Sequence, residues 1–408
     1  MASTPGRYGN YGIRPRGPGN ARFVAPGAMG LESNQRIVAA AQAALAQPFV
    51  GITSGGRPIN GLFPLRSTRL STRPIKEAAE ALLASLQQSP GRQFQFDIDA
   101  PEWRQWANNA RPTLRHGLLF ENLTTVQRDA GLAMIRASLS QYGFETVRGV
   151  MRLNETLALI TGNTAELGEW IYFLSLFGTP SLDQPWGWQI DGHHLIVNCF
   201  ILGDQLILTP SFVGAEPAIA DRGPYVGTAV LQDEQRNALE LIRSLTPAQR
   251  AQAVLFESVL AKDLPPGRVA GGDGRVLAGA HKDNLVLPYE GLRADQLTPG
   301  QRELLLGLIG TYVGYLRPEH AAVRLDEVRA HLDTTHFAWM GQHGDDDVFY
   351  SKVHSPVILI EFDHQNGVFL DNDEPEKFHM HTVVRTPNGN DYGRDLLRQH
   401  YARHHTAV

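Results

Sequence analysis

The chain has 408 residues, 42% hydrophobic and 19% charged, with a formal net charge of −5, the composition of a globular protein long enough to bury a large core. That balance gives no support to nucleic acid or an anionic membrane as partner, since both favour basic surfaces. A single cysteine, Cys199, excludes an intrachain disulfide and a multi-cysteine metal site. No apolar run approaches the roughly 18–20 residues of a membrane span, and no secretory core opens the chain. A reducing, cytoplasmic compartment is therefore expected.

Residues 1–31 read as a Gly/Pro/Arg arm with no acid before Glu32. Such a segment buries too little apolar surface to offset chain entropy, so a flexible or surface-wrapping arm is expected. Residues 32–408 are expected to form one α+β domain. Its N-terminal half is helical. "SNQRIVAAAQAALAQPF" starts at a Ser33 cap, and "STRPIKEAAEALLASLQQS" starts at Ser71 or Thr72 with Pro74 in the first turn. Leu132, Ile135 and Leu139 share a helical face, and Val147, Val150, Met151 and Leu157 belong to a second helix. Two L-T-P-x-Q-R stretches, with Thr-Pro at 246–247 and 298–299, predict two similar helix starts.

Strand signals fall in two blocks. In 185–213, Asp191-Gly192 and Gly203-Asp204 predict tight turns and a meander of strands at about 186–190, 193–202 and 205–213. The second block, 335–386, holds "THFAWMG", "VFYSKVHSPVILIEFDH" and "FHMHTVVRT". Strands grouped this way, with helices before and between them, predict α+β with antiparallel meanders rather than a βαβ sheet. Cys199 lies within "LIVNCFIL" and reads as a core residue. Trp170, Trp186, Trp188 and Trp339 are likewise expected to fill the core.

The ordered segments "WGWQIDGHHL", "HFAWMG", "VHSPVILIEFDHQ" and "HMHTVVRTPNGNDYG" resemble the bacterial and fungal proteins grouped as domain of unknown function DUF3500. The resemblance runs from about residue 115 to 401, and its H-x-H-T-V-x-R motif is the specific part. At His364 the family more often shows a polar amide, which argues against His364 as a ligand. The family name carries no activity, so the chemistry has to come from the residues.

His379 and His381 lie two apart, so on a strand they share a face with Val383 and Arg385. That is a natural chelating pair. If strand 353–364 pairs with 378–386, one register sets Glu361 opposite His381 and Asp363 opposite His379. Carboxylates there could orient imidazoles or act as a general base, which makes Glu361 a catalytic candidate. Of the adjacent His193 and His194, at most one can join a site, and the Asn198 face favours His194. His354 would reach the pair only if its strand bends near Ser355-Pro356. His336 is a further candidate. Arg385 would be costly to bury unpaired; Glu361, Asp391 or an anionic substrate could partner it, while Asp391 is expected to cap the final helix.

The expected ligand set is therefore His194, His354, His379 and His381, with Glu361 and Arg385 as catalytic residues. Three or four imidazoles suit one copper, zinc or iron ion, not magnesium or calcium. The expectation is a mononuclear metalloenzyme, redox with oxygen or hydrolytic, acting on a small anionic molecule. The alternatives are a metal-independent hydrolase or binding protein using Arg385 and histidines, and a non-catalytic protein whose flexible arm and helices mediate assembly; the expected partners are a small-molecule substrate and further copies of the chain in a homo-oligomer.

Overall fold

The computed structural model describes residues 13–17, 31–86, 93–110, 114–269 and 271–404. Nine α-helices lie among them: α1 (Leu31–Leu45), α2 (Arg73–Leu86), α3 (Thr125–Ser138), α4 (Gln141–Thr161), α5 (Gln232–Ser244), α6 (Pro247–Ala253), α7 (Pro299–Val313), α8 (Pro318–Ala330) and α9 (Arg394–His404). The two Thr-Pro starts form capping boxes, Thr246 with Gln249 and Thr298 with Gln301, and Thr124 with Gln127 forms a third without the proline. Each box satisfies backbone donors that the first helical turn leaves open. The Ser33 start is corrected, because α1 already includes Ser33.

The first strands are β1 (Gln95–Phe96), β2 (Leu118–Leu119), β3 (Tyr172–Gly178), β4 (Trp186–Gly192), β5 (Leu195–Leu202), β6 (Gln205–Ile207) and β7 (Ser211–Ala215). The rest are β8 (Val254–Phe256), β9 (Leu292–Arg293), β10 (His336–Gly341), β11 (Phe349–His354), β12 (Leu359–Gln365) and β13 (Glu376–Arg385). All join one mixed sheet whose main path is β1-β3-β4-β5-β7-β13-β12-β11-β10-β8. The fold is α+β. The two meanders meet in the middle, where β7 pairs antiparallel with β13.

β3 was not among the expected strands, the strand expected at 205–213 is split into β6 and β7, and two further differences bear on the site. Gly192 pairs with Leu195, so the tight turn is His193-His194 rather than Asp191-Gly192. The long strand segment expected over 348–364 is two strands: Ser355 N donates to Ile358 O at 2.8 Å and turns the chain into a hairpin. Pro356, which cannot donate to a ladder, sits in that turn.

The sheet's two faces are covered differently. One packs on helices through a large core that includes Trp186, Trp188, Cys199 and Trp339. Trp170 is half-buried beneath Arg128 and Arg148. The other face carries Phe177, Ile196, Phe212, Leu359 and Val383 under Trp103, Trp106, Tyr392 and the irregular segment around residues 276–287. That segment attaches through buried polar contacts to Glu361 and Arg385, and Arg275 just before it bonds Asp363. Of the N-terminal arm, residues 13–17 are seated on the body: Arg16 N donates to Phe369 O at 2.8 Å, and Ile13 packs with Leu157, Leu370 and Phe378. These five residues lie along the surface of the body, the surface-wrapping form of the two expected for the arm; most of the other arm positions lie outside the described residues. No described helix is long and apolar enough to cross a membrane.

Candidate metal centre

His379 and His381 occupy alternate positions of β13 and point to the face away from the helices, while Met380 between them joins the helix-side core. His194 arrives from the β4–β5 turn, 187 residues away in sequence. His381 Nε2 lies 3.1 Å from His379 Nε2 and 3.0 Å from His194 Nε2. The three imidazoles are buried, and one ligand atom from each falls within 4.8 Å of the others. Among the described residues this is the group of His, Cys, Asp or Glu that could hold a metal ion.

Local geometry explains how they converge. His194 is the second residue of a two-residue turn and has φ +60°, a left-handed conformation that usually selects Gly or Asn. Its backbone is fixed at both ends: His194 N donates to Asn108 O at 3.1 Å, and Gly214 N donates to His194 O at 2.8 Å. Gly214, opposite His381, leaves room for both rings. His193 stacks on His194 at 3.9 Å and places Nδ1 2.8 Å from Asn154 Oδ1. His194 is thus the member of the pair that joins, because it is the left-handed turn residue and not through any alternation with Asn198.

Hydrogen-bond accounting shows that neutral rings alone leave the cluster unsatisfied. His379 Nδ1 donates to Asn366 O at 2.7 Å, so in the neutral ring Nε2 carries a lone pair. His381 Nε2 then has two neighbours but only one proton or one lone pair to offer. If it donates to His379 it cannot accept from His194; if it accepts, it meets His379 lone pair to lone pair. Protonating the rings is opposed by burial, which holds His194 and His381 well below the usual histidine range. Burial also lowers His379, less so because Glu216 and Asn366 favour its charged form. His381 Nδ1 is buried without a hydrogen-bond partner. Two imidazole nitrogens that share one ion at about 2.0–2.1 Å each lie roughly 3 Å apart, as these do.

Glu216 was not expected at the site. Continuing the β7–β13 register by one residue sets it opposite His379, on the face shared by Gly214 and His381. Its Oε1 accepts from the backbone N–H groups of Val368, Phe369 and Leu370 at 2.8, 3.0 and 2.9 Å. Its Oε2 is buried with no hydrogen-bond partner. Nothing local in the sequence marked it out, since it follows the last residue of β7 and lies beyond the strand expected at 205–213.

Other expected residues sit differently. The β12–β13 register places Asp363 opposite His381 and Glu361 opposite Val383, two residues off the expected pairing with the faces preserved. Asp363 accepts Arg275 Nε at 2.6 Å and Arg275 N at 2.8 Å, and burial still pushes its carboxyl up to about 6. Glu361 accepts the Tyr350 hydroxyl at 2.6 Å and the N–H groups of Leu277 and Ala278. Its oxygens anchor the covering segment, so the catalytic assignment of Glu361 has no geometric support. Asp273 lies in the same segment, where burial and then Glu361 push its carboxyl up to about 7; Asn108 Nδ2 donates to it at 2.7 Å.

Arg385 is enclosed by protein. Nε donates to Asp391 at 2.7 Å, Nη2 to Asp283 at 2.6 Å and Nη1 to Ala278 O at 3.1 Å. All three of its nitrogens have protein partners, and Asp391 serves this pair and Thr386 N rather than capping α9. His354 closes β11 opposite Leu359, which pairs with Arg385. Arg385 is four residues along β13 from His381, about 13 Å at 3.3 Å per residue. The hairpin at Ser355 carries His354 away from the cluster, so it is not part of the ligand group. His336 stacks on Tyr289 beside His354, and His364 Nε2 donates to Gln235 Oε1 at 2.8 Å; neither joins.

A mixed-sheet α+β protein with a buried three-histidine cluster on one face of the sheet is the class that fold and site define. The family model described as a protein of unknown function, DUF3500, matches residues 68–394, and the chain belongs to that family. No curated protein and no solved structure matches it.

Proposed function

We propose that the protein is a mononuclear metalloenzyme acting on a small molecule, with His194, His379 and His381 holding one transition ion. The observation that carries this reading is the convergence of three Nε2 atoms, held neutral by burial, in contacts that no arrangement of neutral protons satisfies. Neutral imidazoles suit copper, iron or zinc and not magnesium or calcium. Such an ion, when bound, supplies Lewis acidity and, for copper or iron, electron transfer to dioxygen.

The chain's own groups set the conditions around it. Asn366 O fixes the tautomer and orientation of His379, as the outer partners of metal-binding histidines commonly do. Glu216 supplies a buried negative charge beside a ligand set that has none. Phe212 lies edge-on to His381 at 5.1 Å and Phe369 edge-on to His193 at 5.7 Å, which limits water around the rings. We favour oxidation over hydrolysis. The ligand set is all imidazole with aromatic rings beside it, which suits a redox ion; Asp363, opposite His381, spends its oxygens on Arg275, and Glu216, opposite His379, is the carboxylate that keeps one oxygen unpartnered.

Elemental analysis of the purified full chain tests the reading. Near one equivalent of copper or iron is expected, lost in the His379→Ala/His381→Ala double variant. Stoichiometric zinc would move the assignment to hydrolysis, and full occupancy in the double variant would remove the centre altogether.

A further inference from the structure

Two strands across from the histidines, the same sheet face carries a second group of unsatisfied polar atoms. His381 pairs with Asp363 and Asp363 with Tyr350, so at about 4.8 Å per strand Tyr350 lies roughly 10 Å from His381. Arg268 stands over the Tyr350 ring, its guanidinium carbon 5.3 Å from the centroid. Only 9% of Arg268 is exposed. One nitrogen, Nη1, faces Glu290 Oε2 at 3.6 Å. The other two, Nε and Nη2, are buried with no hydrogen-bond partner.

Those two nitrogens form one edge of the guanidinium, with parallel N–H groups spaced to match the two oxygens of a carboxylate. Leaving both unmade in a buried site is costly, because each has lost its water without a replacement. The neighbouring anions cannot serve. Glu290 is turned to Nη1 and bonded to the buried Lys352 ammonium. Glu361, opposite Lys352, is taken by Tyr350, Leu277 and Ala278. Two positions beyond Lys352, His354 is also buried with neither ring nitrogen partnered, tilted against the Tyr289 ring at 4.6 Å. Tyr289, Glu290 and His336 are only partly buried, so this end of the face meets solvent.

We infer that the Arg268 edge is a binding subsite for the carboxylate of a small organic acid, entering beside Tyr289 and Glu290. The subsite is defined by Arg268 without an ion; its use as the anchor of a substrate whose far end reaches the histidines rests on the metalloenzyme reading. This relocates anion recognition from Arg385, which is internally paired, to an arginine with an open fork.

Calorimetric titration of the full chain with acetate, succinate and benzoate, against sulfate at equal ionic strength, tests the subsite. It is run on chelator-stripped and on metal-loaded protein. Saturable binding of at least one carboxylate to the stripped protein is expected, weakened about tenfold or more by Arg268→Lys, which keeps the charge and loses the fork. Should that variant not fold, Glu290→Gln replaces it: removing the competing carboxylate should tighten binding several-fold. Binding confined to metal-loaded protein, equal binding of sulfate, or indifference to these variants would overturn the subsite. Binding to stripped protein upholds it even if no metal is found in the purified chain.

Discussion

Gly214 and His194 are in contact because Gly214 has no side chain: a Cβ there would lie 3.3 Å from His194 Cδ2, 3.0 Å from His381 Cδ2 and 2.7 Å from Met380 O. Gly214→Ala should therefore displace both rings and the strand beside them. Overpacking of this kind typically costs about 1–3 kcal/mol, and bound metal should fall with it. His194 itself is held at positive φ, a conformation that costs a non-glycine residue about 1–2 kcal/mol. Thermal melts should find His194→Gly more stable than His194→Ala by about 1 kcal/mol, with both variants losing metal. Equal stabilities would mean that the turn is not strained.

Glu216→Gln separates charge from geometry. The amide oxygen can still accept from Val368, Phe369 and Leu370, so unfolding midpoints should change little. Metal affinity should drop about 10- to 100-fold, the usual scale for losing an outer partner of a metal site. Unchanged affinity would leave Glu216 as a loop anchor only.

Arg385→Lys should behave as a core defect. A lysine cannot reach Asp283, Asp391 and Ala278 O together, and breaking a buried ion pair costs about 3–5 kcal/mol. Denaturant unfolding should show a loss of that order, with carboxylate affinity unchanged in whatever fraction stays folded. A stable variant with selectively weakened ligand binding would restore Arg385 to the site.

Acid titration offers a difference measurement at His364, which burial holds down to about 3. In the unfolded chain it titrates near 6.5, so its neutral form stabilises the fold above that pH and the contribution is lost as pH falls toward 3. His193 and His354, also held near 3, act in the same direction. Asp191 and Asp363 at about 6, with Glu234 and Asp273 at about 7, oppose them: their stabilisation is present at low pH and fades as pH rises through those values. The whole-protein profile mixes the two. The gap in unfolding free energy between the parent and His364→Gln does not, and it should shrink by about 1.4 kcal/mol per pH unit between roughly pH 6 and 4. A constant gap would show that His364 is not buried neutral.

The seated part of the arm reaches the site through the loop after β12. Arg16 Nη2 donates to Gly367 O and Asn372 O at 3.1 Å each, and Asp371 N donates to Arg14 O at 2.9 Å. The same loop holds His379 through Asn366 and Glu216 through 368–370. Ile13→Ala should cost about 2–5 kcal/mol if the cavity stays open, and Arg16→Ala should lower metal affinity by loosening the loop. Metal binding indifferent to Arg16 would uncouple arm from site.

Features that depend on local chemistry could be read from the sequence. Thr-Pro with a glutamine three residues after the threonine builds a capping box wherever it occurs, and His379 and His381 share a strand face because side chains alternate. The buried role of Cys199 follows from its apolar run for the same reason. What the chain's local pattern could not supply was pairing between distant segments. Asp191-Gly192 is a better turn than His193-His194 on intrinsic preference, yet packing moved the turn by two residues and put a histidine at positive φ. A one-residue slip between β12 and β13 would have brought Phe362 and His364 to the histidines, whereas the even slip observed leaves every side chain on its own face and sets Asp363 rather than Glu361 opposite His381. Arg385 found Asp283, 102 residues upstream, and His194 found His381, 187 residues downstream; only the sheet that joins the two meanders fixes such distances.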